Sequence, residues 1–445
     1  MNSRISILTI PSIIITIAII LIVSDKKTTS ENEKRVLATW PIFTIDGYKS
    51  GKYFHQISEY INDHFPLRDQ LITMAQDIRY HLGVHPEFAE RVIIIPPSSN
   101  ENDVVSSDTT TKEYDADFKE AYTGQMLIIN GRVYPRGAGS PKMGPPFAAM
   151  VNQYANQLSG ICNVYSCVAP LSSAFIPVEK YAFYNTGNKQ TLNAIKTALT
   201  SPSRFCDVFE EMDKHFGETM FYGTDHHWNA KGAYYGYVAF CKAAGLSPVP
   251  LENMTYERKK PFLGSLYDLT KDPEVAAHPD TAEVFIPRVE TKAYRYSPNS
   301  LASPKATSVF CNINNYTAFL CGDAPLIRIT TNIKNGRKAA VVKNSMGNAF
   351  SVYLISHYEE IWVMDFRYSG HNLIDLIANN NINDLIFGVG MYAAMSHGTI
   401  GMMRDLGKNH SPAISTKKDS LRTKIIASDT TKNKSIEKNT SDTIR

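Results

Sequence analysis

The sequence lacks the features that usually mark nucleic-acid-binding and zinc proteins. Over 445 residues its formal net charge is only +3, and it contains no zinc-finger spacing, RNP-like aromatic strand or long basic stripe. Its six cysteines include no C-x-x-C pair, which argues against structural zinc and thioredoxin-like chemistry. We therefore expect neither a nucleic-acid partner nor a cofactor.

The cysteines leave two disulfides open. Cys162 and Cys167 are near each other in sequence, as are Cys311 and Cys321, and each pair could form a disulfide in an exported domain. The first pair falls in an apolar, strand-like run, where buried free cysteine is common. The sequence alone does not decide between the two states.

The N-terminal region contains a long run of apolar residues. Residues 5–23 carry no charge and are long enough to span a bilayer. Arg4 precedes the run, as in a signal sequence, but no convincing small-x-small cleavage site follows. We therefore expect an uncleaved single-pass anchor with the main domain outside the cytoplasm. Lys26 and Lys27 lie on the far side, so the positive-inside count does not clearly favour this orientation.

Length and composition divide the chain into one large domain with appendages. Residues 1–4 form a short tail before the anchor, and residues 24–34 form a polar linker. An α/β domain is expected over residues 35–410, with a flexible insertion at residues 96–115. Residues 411–445 are rich in Lys, Ser, Thr, Asn and Asp, a composition typical of disorder.

Within the large domain, apolar strand-like runs alternate with helical patterns. This alternation predicts parallel βαβ units in an open sheet with helices on both faces. In such sheets functional sites form at the carboxyl ends of the strands, which draws attention to residues 343–345 and 365–367. Strands are predicted at residues 163–169, 338–343, 360–365 and 384–389. Helices are predicted at residues 51–63, 66–82, 189–199, 229–244, 347–357 and 372–379.

Residues 224–229, Thr-Asp-His-His-Trp-Asn, form the first candidate site. Successive side chains of an extended loop point to opposite sides, so Asp225 and His227 can share one side. A carboxylate two residues before an imidazole can fix the tautomer and the orientation of the ring. Trp228 is expected to pack beneath the loop, and Asn229 to cap the next helix. A metal site and a purely structural loop are the alternatives, although adjacent histidines rarely chelate one ion.

Ser345 is the second candidate. It follows a buried strand and precedes small and polar residues, at a strand-to-helix turn where backbone N–H groups are unpaired. Those groups can stabilise an oxyanion, and the helix dipole adds to the effect. A plain helix cap is the simpler interpretation of the local sequence. The Asp-x-His pair favours catalysis instead, because a nucleophilic serine needs a base and the base needs an orienting group.

These segments resemble a known family. The run Thr-Asp-His-His-Trp-Asn-Ala-Lys-Gly-Ala-Tyr-Tyr at residues 224–235 looks like the signature of the bacterial DHHW proteins. That family is similar to the SGNH-like acetyltransferase domains of the alginate O-acetylation machinery. The resemblance covers most of residues 31–392, and it is carried further by residues 31–35, 63–69, 343–350 and 365–368.

The resemblance implies that Ser345 is the nucleophile, His227 the general base and Asp225 its orienting acid. An acidic residue typically precedes the serine in this family, whereas Asn344 stands there in this chain. The expected fold is α/β and SGNH-like (flavodoxin-like), a three-layer αβα arrangement around a parallel sheet. An N-terminal transmembrane helix and helical additions complete the expected architecture.

Further residues near these segments are candidates for supporting or oxyanion-stabilising roles. For Gly322 a plain turn is the simpler interpretation, and for Arg367 an internal ion pair with Asp365 is simpler than substrate binding. The candidates are Met346, Asn348, His226, Trp228, Gly322 and Arg367.

The implied reaction is acyl transfer through an acyl-serine, either to water (esterase) or to a sugar hydroxyl (O-acetyltransferase). A surface-tethered position favours cell-surface polysaccharide or an acylated sugar as partner, with a membrane-bound acyl-donor protein as a further expected partner. One rival is a non-catalytic carbohydrate-binding or envelope-assembly protein that retains the fold. Another is a metal-dependent hydrolase, which requires more ligands converging on His226 and His227.

Overall fold

A computed structural model describes residues 29–30, 35–67, 70–71, 74, 90–95 and 124–408 of the chain. Among these residues, no helix is long and apolar enough to cross a membrane. Several expectations fall wholly or mostly outside the described residues: the anchor at 5–23, the linker at 24–34, the helix at 66–82, the insertion at 96–115 and the tail at 411–445.

The described strands are numbered in chain order. They are β1 Thr29–Ser30, β2 Arg35–Val36, β3 Glu90–Ile95, β4 Gly124–Ile129, β5 Arg132–Pro135, β6 Asn163–Ala169, β7 Arg204–Cys206, β8 Thr255–Phe262, β9 Asp280–Ile286, β10 Thr291–Ser297, β11 Ser300–Thr307, β12 Leu326–Thr331, β13 Lys338–Lys343, β14 Glu360–Asp365 and β15 Asp384–Gly390.

The described α-helices are numbered in the same way. They are α1 Ile45–Lys49, α2 Lys52–Asp63, α3 Gly144–Gln157, α4 Ala182–Ala198, α5 Val208–Asp213, α6 Ala230–Ala244, α7 Ser265–Thr270, α8 Pro273–Ala277, α9 Met346–Ser351, α10 Leu373–Asn380, α11 Met391–Met395 and α12 His397–Asp405. Short 3-10 helices cover Pro141–Met143, Ser172–Phe175, Glu179–Tyr181, Leu251–Asn253, Tyr316–Ala318 and Val352–Ser356.

An eight-stranded sheet in the order β11-β10-β12-β14-β13-β15-β6-β7 organises the domain. The strands from β14 to β7 are mutually parallel, and the other three extend one edge antiparallel. Strands β14 and β15 are buried at every residue, as is typical of parallel strands covered on both faces. The prediction of an α/β fold with a large, mostly parallel sheet is confirmed, whereas the antiparallel extension was not predicted.

The strands with continuous apolar runs begin and end where the sequence predicts. Strands β6, β13 and β14 have the predicted bounds, and β15 is one residue longer. Helix α6 also matches, because Asn229 caps its first turn by accepting a hydrogen bond from the Gly232 amide. At its other end Gly245 adopts the left-handed conformation (φ +68°) that commonly ends helices.

Two helices depart from their predicted bounds. Helix α4 begins at Ala182 instead of residue 189. Its first half contains Gly187, which weakens a helical sequence pattern, and this glycine is packed closely: a Cβ at this position would lie 2.3 Å from the Ala138 carbonyl oxygen. The helix predicted at 347–357 becomes 3-10 after Ser351. The Ser351 hydroxyl donates to the Gly347 carbonyl at 2.7 Å, a bond back to the preceding turn that bends helices.

The cysteine pairs differ in their state. Cys311 and Cys321 form a disulfide with their Cα atoms 5.2 Å apart, while Cys162 and Cys167 are free thiols. The bond closes residues 311–321, which we call the Tyr316 loop because Tyr316 lies in its short 3-10 helix. The Cys311 amide also donates to the Ala318 carbonyl at 2.9 Å. This loop is therefore fixed by both a covalent and a backbone contact.

Breaking the disulfide should destabilise the domain. We expect Cys311→Ser to lower the free energy of unfolding by about 2–3 kcal/mol, because the unfolded chain gains loop entropy. Urea unfolding of the purified protein measures the change, and Cys162→Ser, which removes a thiol that forms no disulfide, is the matched control. Equal stabilities for the two variants would contradict the prediction.

Candidate active site

A buried carboxylate shapes the loop at residues 224–229. Asp280, at the start of β9, accepts hydrogen bonds from the amides of Gly223 (2.8 Å) and Thr224 (2.6 Å) and from the Thr224 hydroxyl (2.6 Å). The Gly264 amide in turn donates to the Thr224 hydroxyl oxygen at 3.0 Å. Burial raises the pKa of Asp280, although these hydrogen bonds oppose the rise. The loop is thus held by the Asp280 side chain of β9 and by the Gly264 amide, which lies between β8 and β9.

Asp225 and His227 form the predicted pair. Nδ1 of His227 lies 2.6 Å from Oδ1 of Asp225, and the His227 backbone amide donates to the same oxygen at 3.1 Å. Burial alone would raise the pKa of Asp225, but His227 and further donors outweigh it and hold this pKa below its usual range. Because the carboxylate stays charged and can only accept, the proton lies on Nδ1 and leaves Nε2 of His227 as an acceptor.

Nε2 of His227 is the ring nitrogen that Asp225 does not engage. It is buried and has no hydrogen-bond partner among the described residues. A buried polar atom without a partner in a folded protein calls for an explanation, and a catalytic role is a common one.

Tyr316 connects His227 to the segment that carries Ser345. Its ring stacks on the His227 imidazole, with centroids 3.7 Å apart and planes 8° from parallel. Its hydroxyl donates to the Ser345 carbonyl at 2.8 Å and lies 3.0 Å from the Met346 carbonyl. Trp228 donates from its indole nitrogen to the Met346 carbonyl at 2.8 Å. Two aromatic side chains therefore join the histidine loop to the serine turn.

Ser345 lies at the turn between β13 and α9, as the sequence predicts. It is buried, and its side chain accepts no hydrogen bond from the amides of the described helix α9. The plain helix-cap interpretation is therefore not what the structure shows. Asn344 accepts a hydrogen bond from the Gly390 amide at 3.1 Å. The residue that departs from the family pattern thus fixes the turn against the end of β15.

The turn is packed too closely for larger residues. A Cβ on Gly347 would lie 2.4 Å from Cβ of Lys343 and 2.6 Å from the Gly388 carbonyl oxygen. A Cβ on Gly390 would lie 2.9 Å from the Met346 side chain. These contacts leave the backbone around Ser345 little freedom to move.

Four charged residues form a network that adjoins the serine turn. Nζ of Lys343 lies 2.7 Å from both Asp323 and Asp365. Arg367 bridges the same two carboxylates at 2.9 and 2.7 Å. Asn348, three residues after Ser345, donates to Asp323 at 2.8 Å. The ion pair between Asp365 and Arg367 is thus part of a larger, mostly buried cluster in which Lys343 was not predicted.

Several supporting candidates already use their donor groups within the protein. The side-chain amide of Asn348 is bound to Asp323, and the indole of Trp228 to the Met346 carbonyl. The Gly322 amide donates to the Phe319 carbonyl at 3.1 Å, in the plain turn that its sequence suggested. Arg367 is engaged by two carboxylates. These hydrogen bonds and ion pairs tie the four residues to the protein itself, and the oxyanion-stabilising role expected near Met346 stays a prediction.

His226 approaches the second oxygen of Asp225 through Ser265. Nδ1 of His226 lies 2.7 Å from the Ser265 hydroxyl oxygen, which lies 3.2 Å from Oδ2 of Asp225. The Ser265 amide donates to Oδ2 at 3.1 Å. The two histidine rings are 3.7 Å apart at their centroids. Burial, followed by the neighbouring His227, lowers the pKa of His226 well below its usual range.

The alternative interpretation of this loop is a metal site. Asp225, His226 and His227 offer ligand atoms within 4.8 Å of one another in the described part of the chain. Both carboxylate oxygens, however, accept protein hydrogen bonds, and Nδ1 of His227 faces one of them. A metal ion bound there would have to displace the proton of that bond, so the arrangement fits an acid–base pair better.

Comparisons with known proteins identify one family and several similar structures. A model of the DHHW protein family matches residues 84–364. A DHHW family protein from Eubacterium siraeum DSM 15702 is similar in structure, with a TM-score of 0.56 and 28% identity over 62% of this chain and 94% of that chain. PatB1 of Bacillus cereus, solved with a sulfonyl adduct, is similar at a TM-score of 0.50 and 16% identity, over 62% of this chain and 96% of that one. No curated protein sequence matches the chain.

Gly264 should be intolerant of a side chain. A Cβ there would lie 2.3 Å from Cβ and 2.6 Å from Oδ2 of Asp225, so Gly264→Ala should lower the free energy of unfolding by about 1–3 kcal/mol through overpacking. Gly401→Ala is the matched control, since nothing lies within 4 Å of a Cβ at that helical position. Chemical denaturation of both variants measures the difference. If the Gly264 variant were as stable as the Gly401 variant, the loop would be able to accommodate the added methyl group and the prediction would be wrong.

The charge network should make the protein sensitive to acid. Burial opposes ionisation of Asp323, but the charges of Lys343 and Arg367 outweigh it and hold the pKa of Asp323 below its usual range. The stabilisation that the ionised Asp323 carboxylate contributes is therefore complete above about pH 5, and it is lost as the pH falls through about 4 and lower. In Asp323→Asn we expect a loss of about 3 kcal/mol at neutral pH and a shallower decline in acid.

Urea unfolding at a series of pH values tests this expectation. Asp405→Asn is the control, because its carboxylate is 63% exposed and its ion pair among the described residues is with Lys408, three residues on. The control should follow the wild-type curve. An Asp323 variant with the wild-type slope in acid would contradict the assignment.

Proposed function

This chain belongs to the DHHW family, and from that membership and the geometry of its site we propose that it is an SGNH-type serine esterase or O-acetyltransferase. It acts through an acyl-serine intermediate on cell-surface polysaccharide or an acylated sugar. The observation that carries the proposal is the Asp225–His227 hydrogen bond together with the unpartnered, buried Nε2 of His227. The His227 ring is thus a base whose orientation and tautomer are already fixed by Asp225.

The first half of the proposed reaction acylates the enzyme. Oγ of Ser345 attacks the carbonyl carbon of the acyl donor while Nε2 of His227 takes the serine proton. Asp225 stabilises the imidazolium, and backbone N–H groups near Ser345 and Met346 hold the oxyanion. The bond to the leaving group then breaks, and the leaving oxygen takes the proton from His227. The acyl group is now an ester of Ser345.

The second half releases the acyl group. A water molecule or a sugar hydroxyl gives its proton to Nε2 of His227 and attacks the acyl carbon. The bond to Oγ of Ser345 breaks, and Oγ takes the proton back from His227. Water yields hydrolysis, and a sugar hydroxyl yields transfer. No other reactant is needed, so the same triad serves both outcomes.

The proposal also includes a location. The charge-free run at residues 5–23 is long enough to anchor the protein in a membrane, with the α/β domain outside the cytoplasm. In that arrangement the site meets polysaccharide at the cell surface, and a membrane-bound protein supplies the acyl group. Protease treatment of intact cells, compared with lysed cells, tests this orientation. We expect the α/β domain to be cleaved in both, whereas protection in intact cells would place it in the cytoplasm.

A fluorophosphonate probe tests the nucleophile. We expect covalent labelling of the wild-type protein, none in Ser345→Ala, and labelling slowed by about 10²–10⁴-fold in His227→Ala because the general base is removed. Ser351→Ala is the matched control: this serine lies on the same short helix, and its hydroxyl bonds to the Gly347 carbonyl. The control should be labelled at the wild-type rate.

The same experiment separates the rival functions. Labelling that persists in Ser345→Ala would contradict the triad. An unlabelled wild-type protein that binds polysaccharide would favour the non-catalytic carbohydrate-binding or envelope-assembly role. A stoichiometric metal, found by elemental analysis and required for activity, would favour the metal-dependent hydrolase instead.

A further inference from the structure

We infer that residues 40–54 dock on the lipid bilayer through an exposed aromatic patch. The patch consists of six large apolar side chains, each more than half exposed: Trp40, Ile42, Phe43, Ile45, Tyr48 and Phe54. Its partner is the headgroup region of the membrane that holds the run at residues 5–23. The inference rests on the location in the proposed function, and it adds a second contact with the same membrane.

The aromatic members of the patch pack against one another at the surface. The Phe43 ring centroid lies 6.0 Å from that of Tyr48 and 5.1 Å from that of Tyr53, and the Tyr48 and Phe54 centroids are 5.4 Å apart. Helix α1, which carries Ile45 and Tyr48, contains no buried residue. Single exposed apolar side chains are ordinary, whereas a contiguous group of them marks an interaction surface.

The residue types are those found where a bilayer meets water. Trp and Tyr are enriched there because each ring has an apolar body and a polar group. Lys49 and Lys52 are exposed beside the patch, and a lysine can lay its apolar stem on the bilayer while its charge stays among the headgroups. Residues 40–54 contain these two lysines and one acidic residue, Asp46. Their charge therefore does not oppose an anionic membrane surface.

The patch follows closely on the apolar run at residues 5–23. Residues 24–35 contain no apolar side chain. Strand β1 pairs antiparallel with β2, so that Thr29 lies opposite Val36. This pairing turns the chain back and shortens its reach from residue 23 to Trp40 by about 20 Å relative to an extended chain. The patch therefore lies within a short reach of the point where the proposed anchor leaves the bilayer.

The tether favours the bilayer over other occupants of the patch. A surface joined to its target by a short linker docks within one molecule, at an effective concentration that reaches the millimolar range. A second copy of the chain, or another protein, would have to be recruited from solution. The patch also lies outside residues 84–364, which match the DHHW family model. It is thus an addition on the side of the chain that carries the anchor.

Trp40 provides a direct probe of the patch. The chain contains three tryptophans; Trp40 is 59% exposed, whereas Trp228 and Trp362 are each 3% exposed. Full-length protein is reconstituted into vesicles of phosphatidylcholine and phosphatidylglycerol, with and without bromine on the lipid acyl chains. Bromine quenches tryptophan fluorescence on contact. Comparison with Trp40→Phe, which keeps an apolar ring in the patch, identifies the emission that comes from Trp40.

We expect brominated lipid to quench the Trp40 emission at least about 2-fold, and more strongly with bromine near the headgroups than near the chain ends, because interfacial side chains lie at that boundary. Ile42→Ser combined with Phe43→Ser should lower the docking equilibrium by about 100-fold, and the quenching with it. The matched control is Phe216→Ser combined with Leu301→Ser, at positions outside the patch that are 49% and 47% exposed. Its quenching should equal that of the wild type.

Trp40 emission that brominated lipid leaves unchanged would overturn the inference, and so would equal quenching in the patch variant and its control. Shielding of Trp40 from aqueous iodide without quenching by bromine would show that protein covers the patch, which also overturns it.

Extraction of the vesicles with alkaline carbonate separates these failures from failure of the proposed location. Protein that resists extraction but shows no Trp40 quenching overturns the patch alone. Protein that is extracted, although its Trp40 was quenched beforehand, overturns the anchor alone. Protein that never associates with the vesicles overturns both. Fluorophosphonate labelling of Ser345 tests the proposed reaction independently of these outcomes.

Discussion

The charged carboxylate of Asp225 is the group around which the site is built. An ionised carboxylate is costly to bury unless hydrogen bonds replace its water shell. Asp225 receives such bonds from the ring and amide of His227 and from the amide and hydroxyl of Ser265. These donors come from two separate segments, the loop at residues 224–229 and the start of α7. The Asp225 carboxylate therefore holds the two segments together. The Asp280 carboxylate likewise accepts hydrogen bonds from the Gly223 and Thr224 amides and so holds the backbone just before Asp225.

The serine turn is joined to this centre by aromatic side chains and backbone carbonyls. Tyr316 stacks on His227 and donates to the Ser345 carbonyl, and Trp228 donates to the Met346 carbonyl. These contacts use no atom that the proposed chemistry requires. The relative placement of the proposed nucleophile and base is therefore held by groups that take no part in the proposed reaction. The glycines around the turn and the network of Lys343 limit the movement of the backbone beneath it.

The elements that could be predicted from the sequence are those with a clear local pattern of apolar or capping residues. The central parallel strands are continuous apolar runs, and their bounds agree with the structure, as does helix α6 between its Asn229 cap and Gly245. Strand β11 was missed because it is almost wholly exposed and contains Pro304, so it carries no apolar pattern. The Asp-x-His pair could be predicted because both partners lie within one short loop.

The remaining site residues could not be predicted in this way. Ser265, Asp280 and Tyr316 are single polar or aromatic residues far from residues 224–229 in sequence, and tertiary packing alone brings them together. Lys343 offered a signal that was not used. It ends an apolar strand, and its partner in the parallel register is Asp365, which ends the next. A charge at the end of each of two buried neighbouring strands is expected to be paired.

The Cys311–Cys321 bond links the site to the redox state of its surroundings. It closes the loop whose Tyr316 ring stacks on His227, the proposed general base, and whose Tyr316 hydroxyl donates to the carbonyl of Ser345, the proposed nucleophile. Thiols stay reduced in the cytosol of most production hosts, and protein made there would fold with this loop open. Assays of the proposed acyl transfer on such material would understate its rate, because the aromatic contact between His227 and the Ser345 turn would lose its covalent restraint. Activity assays should therefore use protein that has been folded under oxidising conditions, with the Cys311–Cys321 bond formed.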